Sequence, residues 1–226
     1  MRYYRFILSA ILLLGLGLTG LFAQTPSSNT VTDMDNNVYQ TVIIGPQEWM
    51  AENLKTSRYN DGTAIPLVTD NKAWSNLTTP GYCWNSNDTF SYKDIYGALY
   101  NWYTVETGKL CPSGWHIPTD AEWTILFDFM NDSSEIAADK FKETGTTHWN
   151  AKKSYATNET GFTALPGGGR YRYGAFAGVN FYGYWWSATE SGTRNAWLWF
   201  MYSKSREVSR KDYNKQYGFS VRCLKD

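Results

Sequence analysis

Histidine and cysteine are scarce in this chain: its 226 residues include 2 His and 3 Cys. No Ser/His/Asp set and no paired-carboxylate spacing stands out, so no catalytic residue, metal or other cofactor is expected. His116, between Trp115 and Ile117, reads as a packed strand residue rather than a base. Neither sign of charge is in excess, with 21 basic and 21 acidic residues. That balance excludes nucleic acid and anionic membrane as main partners. Asp33, Asp35 and Asn37 are spaced like the start of a calcium loop, but the downstream Gly and bidentate Glu are missing, which leaves a plain turn. Gly167-Gly168-Gly169-Arg170 lacks the Gly-Lys-Ser/Thr of a phosphate loop and is read as a tight turn with close backbone approach.

Long apolar runs are also few. Residues 6–18 form one, preceded by Arg2 and Arg5 and followed by Leu21-Phe22-Ala23, which suits cleavage before Gln24. The run is short for a membrane span, and polar residues follow it. Residues 1–23 are therefore read as a secretory signal, 24–31 as a linker and 32–226 as one domain. No membrane span is expected after cleavage. No Cys stands at the cleavage point, so a lipid anchor there is not expected. Export to the periplasm, the cell surface or the medium permits disulfides.

What the chain has is aromatics and glycine: 11 Trp, 17 Tyr, 11 Phe and 19 Gly. With few long helical patterns, this predicts short strands, turns and long ordered loops. The pivot is Cys111-Pro112-Ser113-Gly114-Trp115-His116-Ile117-Pro118-Thr119-Asp120-Ala121-Glu122-Trp123. Pro112 and Gly114 force a turn. Thr119 and Glu122 make a capping box, and Trp123, Leu126, Phe127 and Met130 give the following helix one apolar face. Tyr217-Gly218-Phe219-Ser220-Val221-Arg222-Cys223 alternates like a strand. A terminal strand beside the mid-chain corner would close the domain, with Cys111 paired to Cys223. Such a loop is worth on the order of 4–5 kcal/mol. Cys83 is left over as a buried thiol.

Other elements follow from local pattern. Residues 32–44 predict a hairpin, 47–54 a short amphipathic piece, 60–67 a turn leading into an extended piece and 70–74 one helical turn. Residues 81–85 are strand-like. Asp94 is read as the cap of a helix with Ile95, Ala98, Leu99 and Trp102 on one side. Asp132 and Glu135 form a second capping box before a helix with Ile136, Ala137 and Phe141, stopped by Gly145. Residues 146–160 are polar loop around Trp149. Strands are predicted over 183–189, 195–202, 205–210 and 217–224.

Several of these motifs together resemble one family. They are Val38-Tyr39, Trp49-Met50-Ala51-Glu52-Asn53-Leu54, Tyr96-Gly97-Ala98-Leu99-Tyr100-Asn101-Trp102, the pivot, Leu165-Pro166-Gly167-Gly168, Tyr184-Trp185-Trp186-Ser187-Ala188-Thr189-Glu190 and the terminal Gly218 to Cys223 run. In that order they resemble the Fibrobacter succinogenes major paralogous domain, a family of exported bacterial proteins, from about Val31 onward. The resemblance implies an α+β, C-type-lectin-like fold of the formylglycine-generating-enzyme branch. It would have two to three helices around small twisted antiparallel sheets, long ordered loops, and N- and C-terminal strands side by side. The family brings no established activity. Many members carry a further Cys near position 83; none follows here before Cys111.

The expected function is that of an exported, non-catalytic ligand-binding module for a carbohydrate or protein. Some relatives in the branch bind ligands through a late segment, here residues 192–216. The candidate contacts are Trp185, Arg194, Leu198, Phe200, Tyr202, Arg206 and Tyr213, because aromatic faces stack on sugars or side chains and Arg offers forked hydrogen bonds. Strand alternation points Trp197, Trp199 and Met201 inward and turns Leu198, Phe200 and Tyr202 to a loop layer or ligand. One alternative is a structural or adhesin-type envelope component. A formylglycine-generating oxidase is remote, because its chemistry uses paired reactive cysteines to hold copper and only Cys83 is free. Nothing in the sequence sets the oligomeric state.

Overall fold

The computed structural model describes residues 29–130, 136–151 and 153–226. The expected signal segment, most of the linker and the Asp132/Glu135 capping box lie outside the described residues.

The described chain is α+β, mainly β, and opens with the predicted hairpin, Thr30–Thr32 (β1) against Val38–Ile44 (β2). Its turn is made by one side chain. Asp33 accepts from the amides of Asp35 (2.9 Å) and Asn37 (3.0 Å) and from the Tyr39 hydroxyl (2.5 Å). Gln47–Met50 (β3) pairs with β2. Asn71–Ser75 (α1) is the predicted helical turn, capped by Asp70. Then come Tyr82–Cys83 (β4), Thr89–Tyr96 (α2), Leu99–Asn101 (β5), Trp102–Val105 (α3), Trp115–His116 (β6) and Asp120–Phe129 (α4). Ala137–Phe141 (α5), Gly167–Arg170 (β7), Phe176–Val179 (β8), Tyr182–Gly192 (β9), Asn195–Tyr202 (β10) and Val208–Asn214 (β11) follow. Gly218–Phe219 (β12) and Leu224–Lys225 (β13) end the chain.

These strands form three antiparallel sheets with orders β1-β2-β3-β13-β6, β4-β5-β12-β7-β8 and β11-β10-β9. The closure expected from the sequence is present. β13 lies between β3 and β6, with Leu224 opposite both Trp49 and His116. Cys111 and Cys223 are disulfide-bonded with their Cα atoms 6.0 Å apart. The capping box of α4 is formed by Thr119 and Glu122.

His116 does more than pack. Its Nδ1 meets Asp226 Oδ1 at 2.7 Å and its Nε2 meets Glu122 Oε1 at 3.0 Å, while Glu122 Oε2 accepts from the Thr119 amide at 2.7 Å. Burial opposes the imidazolium, but the bonds to Asp226 and Glu122 outweigh it and raise the His116 pKa. Burial likewise opposes the Glu122 carboxylate, and the Thr119 and His116 bonds overcome it and lower that pKa. The folded state therefore holds the imidazole proton more tightly than the unfolded chain does. That stabilisation is full below about pH 6.5 and is lost as pH rises through the raised value. The Glu122 part is full above about pH 4.5 and is lost in acid. His116→Ala is expected to cost about 0.5–1 kcal/mol between those limits, a modest figure because the imidazole is 36% exposed. Melting curves of both proteins from pH 4 to 9 check this; a gap that does not shrink at alkaline pH makes the contact steric rather than ionic.

Four local expectations need correction. The helix placed after Asp94 is α2, which begins earlier and is capped by Asp88, whose side chain accepts from Ser91 N at 3.0 Å. It stops at Gly97, whose φ is 73° and where a Cβ would lie 2.7 Å from the Leu54 carbonyl oxygen. Ile95 therefore stays exposed, while Leu99 and Trp102 reach the core from β5 and α3. The triple glycine is a strand, not a turn. β7 is buried along its whole length, and a Cβ on Gly168 (φ 63°) would lie 2.5 Å from the Val179 amide nitrogen. The close backbone approach was correctly expected; the turn was not. α5 ends at Phe141, ahead of Gly145, because Lys142 is extended. The terminal strand is two short ones, because residues 220–223 change sheets: Ser220, Val221 and Cys223 carbonyls accept from Trp186, Leu54 and Met50 amides in turn.

The β9–β10–β11 sheet separates two apolar clusters. One holds Tyr39, Tyr100, Trp102, Trp186, Leu198, Phe219 and the disulfide. The other holds Trp49, Trp123, Leu126, Phe141, Trp149, Phe162, Trp185 and Met201. Adjacent residues on a strand face opposite ways, so Trp185 and Trp186 enter different clusters. α4 covers the second cluster, with Trp123 4.8 Å from Trp49 and Phe127 4.9 Å from Trp199 between ring centroids.

Candidate functional site

Pairing register builds an aromatic face. Trp186, Tyr184 and Tyr182 on β9 stand opposite Leu198, Phe200 and Tyr202 on β10, and Tyr213 on β11 stands opposite Ala196. Side chains alternate along each strand, so all seven named aromatic and leucine residues share one side of the sheet. Tyr182 stacks on Tyr202 at 4.6 Å and on Tyr184 at 5.3 Å. Tyr213 meets Tyr217 at 5.2 Å, Tyr217 meets Tyr171 at 5.6 Å, and Tyr171 meets Tyr173 at 5.4 Å. The face runs from sealed to open. Trp186, Leu198 and Phe219 are buried, Tyr171, Tyr182, Phe200, Tyr202, Tyr213 and Tyr217 are half-buried, and Tyr173 is 59% exposed. Burial, then neighbouring phenols, raises the pKa of Tyr184 and of Tyr213, so these two phenols stay uncharged.

The sequence-based candidates divide among four places. Phe200, Tyr202 and Tyr213 are on the shelf. Trp185 and Leu198 are not available to a ligand. Trp185 is 1% exposed, on the opposite side of β9, and donates to Asn53 Oδ1 at 2.8 Å; Leu198 is fully buried. The side of β10 assigned to solvent is thus covered at its Leu198 end, and Trp197 on the other side is half-buried beneath Arg210, 3.5 Å away. Arg194 is exposed at the β9–β10 turn. Tyr202 lies at the other end of β10, roughly 26 Å away at the rise of a strand. Arg206 is exposed beyond the Tyr202 end, where its Nε donates to Asp139 Oδ2 at 2.5 Å. The sequence reasoning missed Tyr171, Tyr173, Tyr182 and Tyr217. The alternation of Tyr182, Tyr184 and Trp186 was the available signal for Tyr182.

Next to Arg206 is a cavity of ≈ 420 Å³ between α5, Trp149, Ala151, residues 153–156 and residues 203–206. Lys142 lies in its wall, 5% exposed. Its Nζ donates to the Tyr202 and Ser205 carbonyls (2.8 and 2.6 Å) and rests 4.8 Å from the Trp149 ring centre. Burial pulls its pKa down to about 8, against the nearby Asp139 charge. Tyr155, 53% exposed, has Lys153 Nζ and the Arg206 guanidinium 4.8 and 4.7 Å from its ring centre. Tyr202 joins the two features, its ring on the shelf and its carbonyl on Lys142.

Cys83 is fully buried beside Trp74 and Leu99, and burial pushes its thiol up to about 12. It stays protonated and unreactive. Among the described residues, no group of three or more His, Cys, Asp or Glu is placed to hold a metal ion, and no helix is long and apolar enough to cross a membrane.

Comparison with curated proteins and with solved structures found no match. Comparison with family models matches residues 42–225 to the Fibrobacter succinogenes major domain. That span holds the Cys111 corner, the buried glycine strand, the shelf and the cavity, and the chain belongs to the Fibrobacter succinogenes major domain family.

Proposed function

We propose that the protein is an exported, non-catalytic binding module whose tyrosine shelf receives a carbohydrate or a protein side-chain cluster. The frame would be a C-type-lectin-like one, with β3 and β13 as its adjoining N- and C-terminal strands. The observation that carries the reading is the gradient from the sealed Trp186 on the sheet to the open Tyr173 in the turn between β7 and β8. A purely structural face would be covered along its length. Half-open phenol rings offer flat apolar area and a hydroxyl at the same point, which suits sugar faces and protein hot spots. The Cys111–Cys223 disulfide and the apolar residues 6–18 support export.

Tyr173→Ala and Tyr202→Ala are expected to weaken capture on a glycan or protein array about 30-fold each, the loss of a hot-spot aromatic worth about 2 kcal/mol. Tyr173→Ala should leave the melting temperature unchanged. Arg194→Ala, at the far end of β10, should leave capture unchanged if the shelf alone binds. Absence of capture on both arrays, or capture indifferent to both tyrosines, ends this reading.

A further inference from the structure

We propose that the cavity beside α5 is a second binding site, specific for an acidic saccharide whose carboxylate or sulfate is held by Lys142, Lys153, Lys204 and Arg206. Its volume of ≈ 420 Å³ lies in the range of small-ligand pockets, about 300–1,000 Å³. Those four basic residues line it against one acid, Asp139. Asp139 is already bound to Arg206 at 2.5 Å, so the lining keeps a positive surplus.

Lys142 is the central observation. An ammonium has three N–H groups, and two of these donate to backbone carbonyls. Among the described residues it forms no ion pair with a carboxylate; Asp139 acts on it only at a distance. A buried cation held by neutral acceptors alone is costly, and an anion entering the cavity supplies the missing charge. Ser203 Oγ, also in the lining, is buried without a hydrogen-bond partner. Lys153 and Lys204 are exposed at the rim.

The rest of the lining indicates a sugar. Ser154 and Ser205 bring hydroxyls to the lining, each able to donate and accept, as sugar hydroxyls do. Tyr155 is 53% exposed, and the two cations against its ring hold it in place. The site lies beyond the Tyr202 end of β10 and does not use the open end of the shelf, so the two surfaces can succeed or fail separately.

Calorimetric titration of the chain lacking residues 1–23 tests this with four probes: an oligogalacturonate, a sulfated galacto-oligosaccharide, the neutral galacto-oligosaccharide and an acidic peptide of equal charge. At least one acidic saccharide is expected to bind at least tenfold more tightly than the neutral one, and which one separates carboxylate from sulfate. Lys204→Glu and Lys153→Glu, both at exposed positions, should each weaken it about tenfold with an unchanged melting temperature. Tyr173→Ala should have no effect on it. Lys142→Met should abolish binding; because it also alters the interior, the two rim reversals carry the decision. Equal binding of neutral and acidic sugars, tighter binding of the peptide, no acidic saccharide bound at millimolar concentration, or indifference to both rim reversals overturns the site. If neutral glycans are still captured at the shelf in that case, the shelf reading survives alone.

Discussion

Replacing Cys111 and Cys223 together by alanine is expected to lower stability by about 5 kcal/mol. The bond joins residues 112 apart in sequence, and restricting an unfolded loop of that length accounts for a figure of that size. For a domain of this length it means a fall of about 10–20 °C in melting temperature. The effect is large because of what the bond anchors. Cys111 leads into the corner before β6, and Cys223 precedes β13, the strand between β6 and β3. Met50 N also donates to the Cys223 carbonyl at 3.0 Å, so the bridge lies at the joint of the first sheet. Both sulfurs are buried, so alanine also leaves a small void. Urea denaturation of oxidised, reduced and doubly substituted protein measures the loss. A difference below about 1 kcal/mol would mean that the β3–β13–β6 pairing closes the domain unaided.

Arg222→Ala is expected to cost about 3–5 kcal/mol, while Arg222→Met stays within about 1–2 kcal/mol of the native protein. The guanidinium is fully buried over the Phe162 ring at 3.9 Å and 5.9 Å from that of Trp185. It donates to the Phe162 carbonyl and to Asn53 Oδ1, which also accepts from Trp185. Asn53 in turn donates to the Tyr96 carbonyl at 2.9 Å. One side chain thus connects the segment between β12 and β13 with β9, the end of α2 and the Phe162 loop. Alanine removes the donors and the packing together and strands two acceptors in the interior. Methionine keeps most of the volume and removes a charge whose Nε has no partner. Chemical denaturation of the two variants separates the terms. Equal losses would assign the stability to hydrogen bonds, and an alanine loss under about 1 kcal/mol would deny the hub altogether.

What could be read in advance was what short-range rules decide. The Thr119/Glu122 box, the hairpin around Asp33 and the bounds of β10 at Asn195 and Tyr202 follow from capping, turn chemistry and alternation. The helix around Asp94 shows where such rules fail. Its apolar spacing was helical, but Gly97 has to pass against Leu54, and no local pattern records that contact. The triple glycine fails in the same way: the need for bare backbone was legible, the sheet that imposes it was not.

The candidate site divides along the same line. Alternation placed Leu198, Phe200 and Tyr202 on one face; the pairing of β11 added Tyr213 to it. It could not say how far the cover over that face extends, so Leu198 went to the wrong environment. The cavity was beyond reach, because Lys142, Trp149, Tyr155 and Ser203 come from separate segments with no shared period. The amino-acid order by itself determined the capped and alternating elements, the disulfide pair and the family, since each rests on neighbouring residues or on motifs in order. Only the tertiary structure decided which aromatics meet solvent and which cations gather around a hollow, because exposure is set by the segments that pack over a residue, and those are remote in the chain.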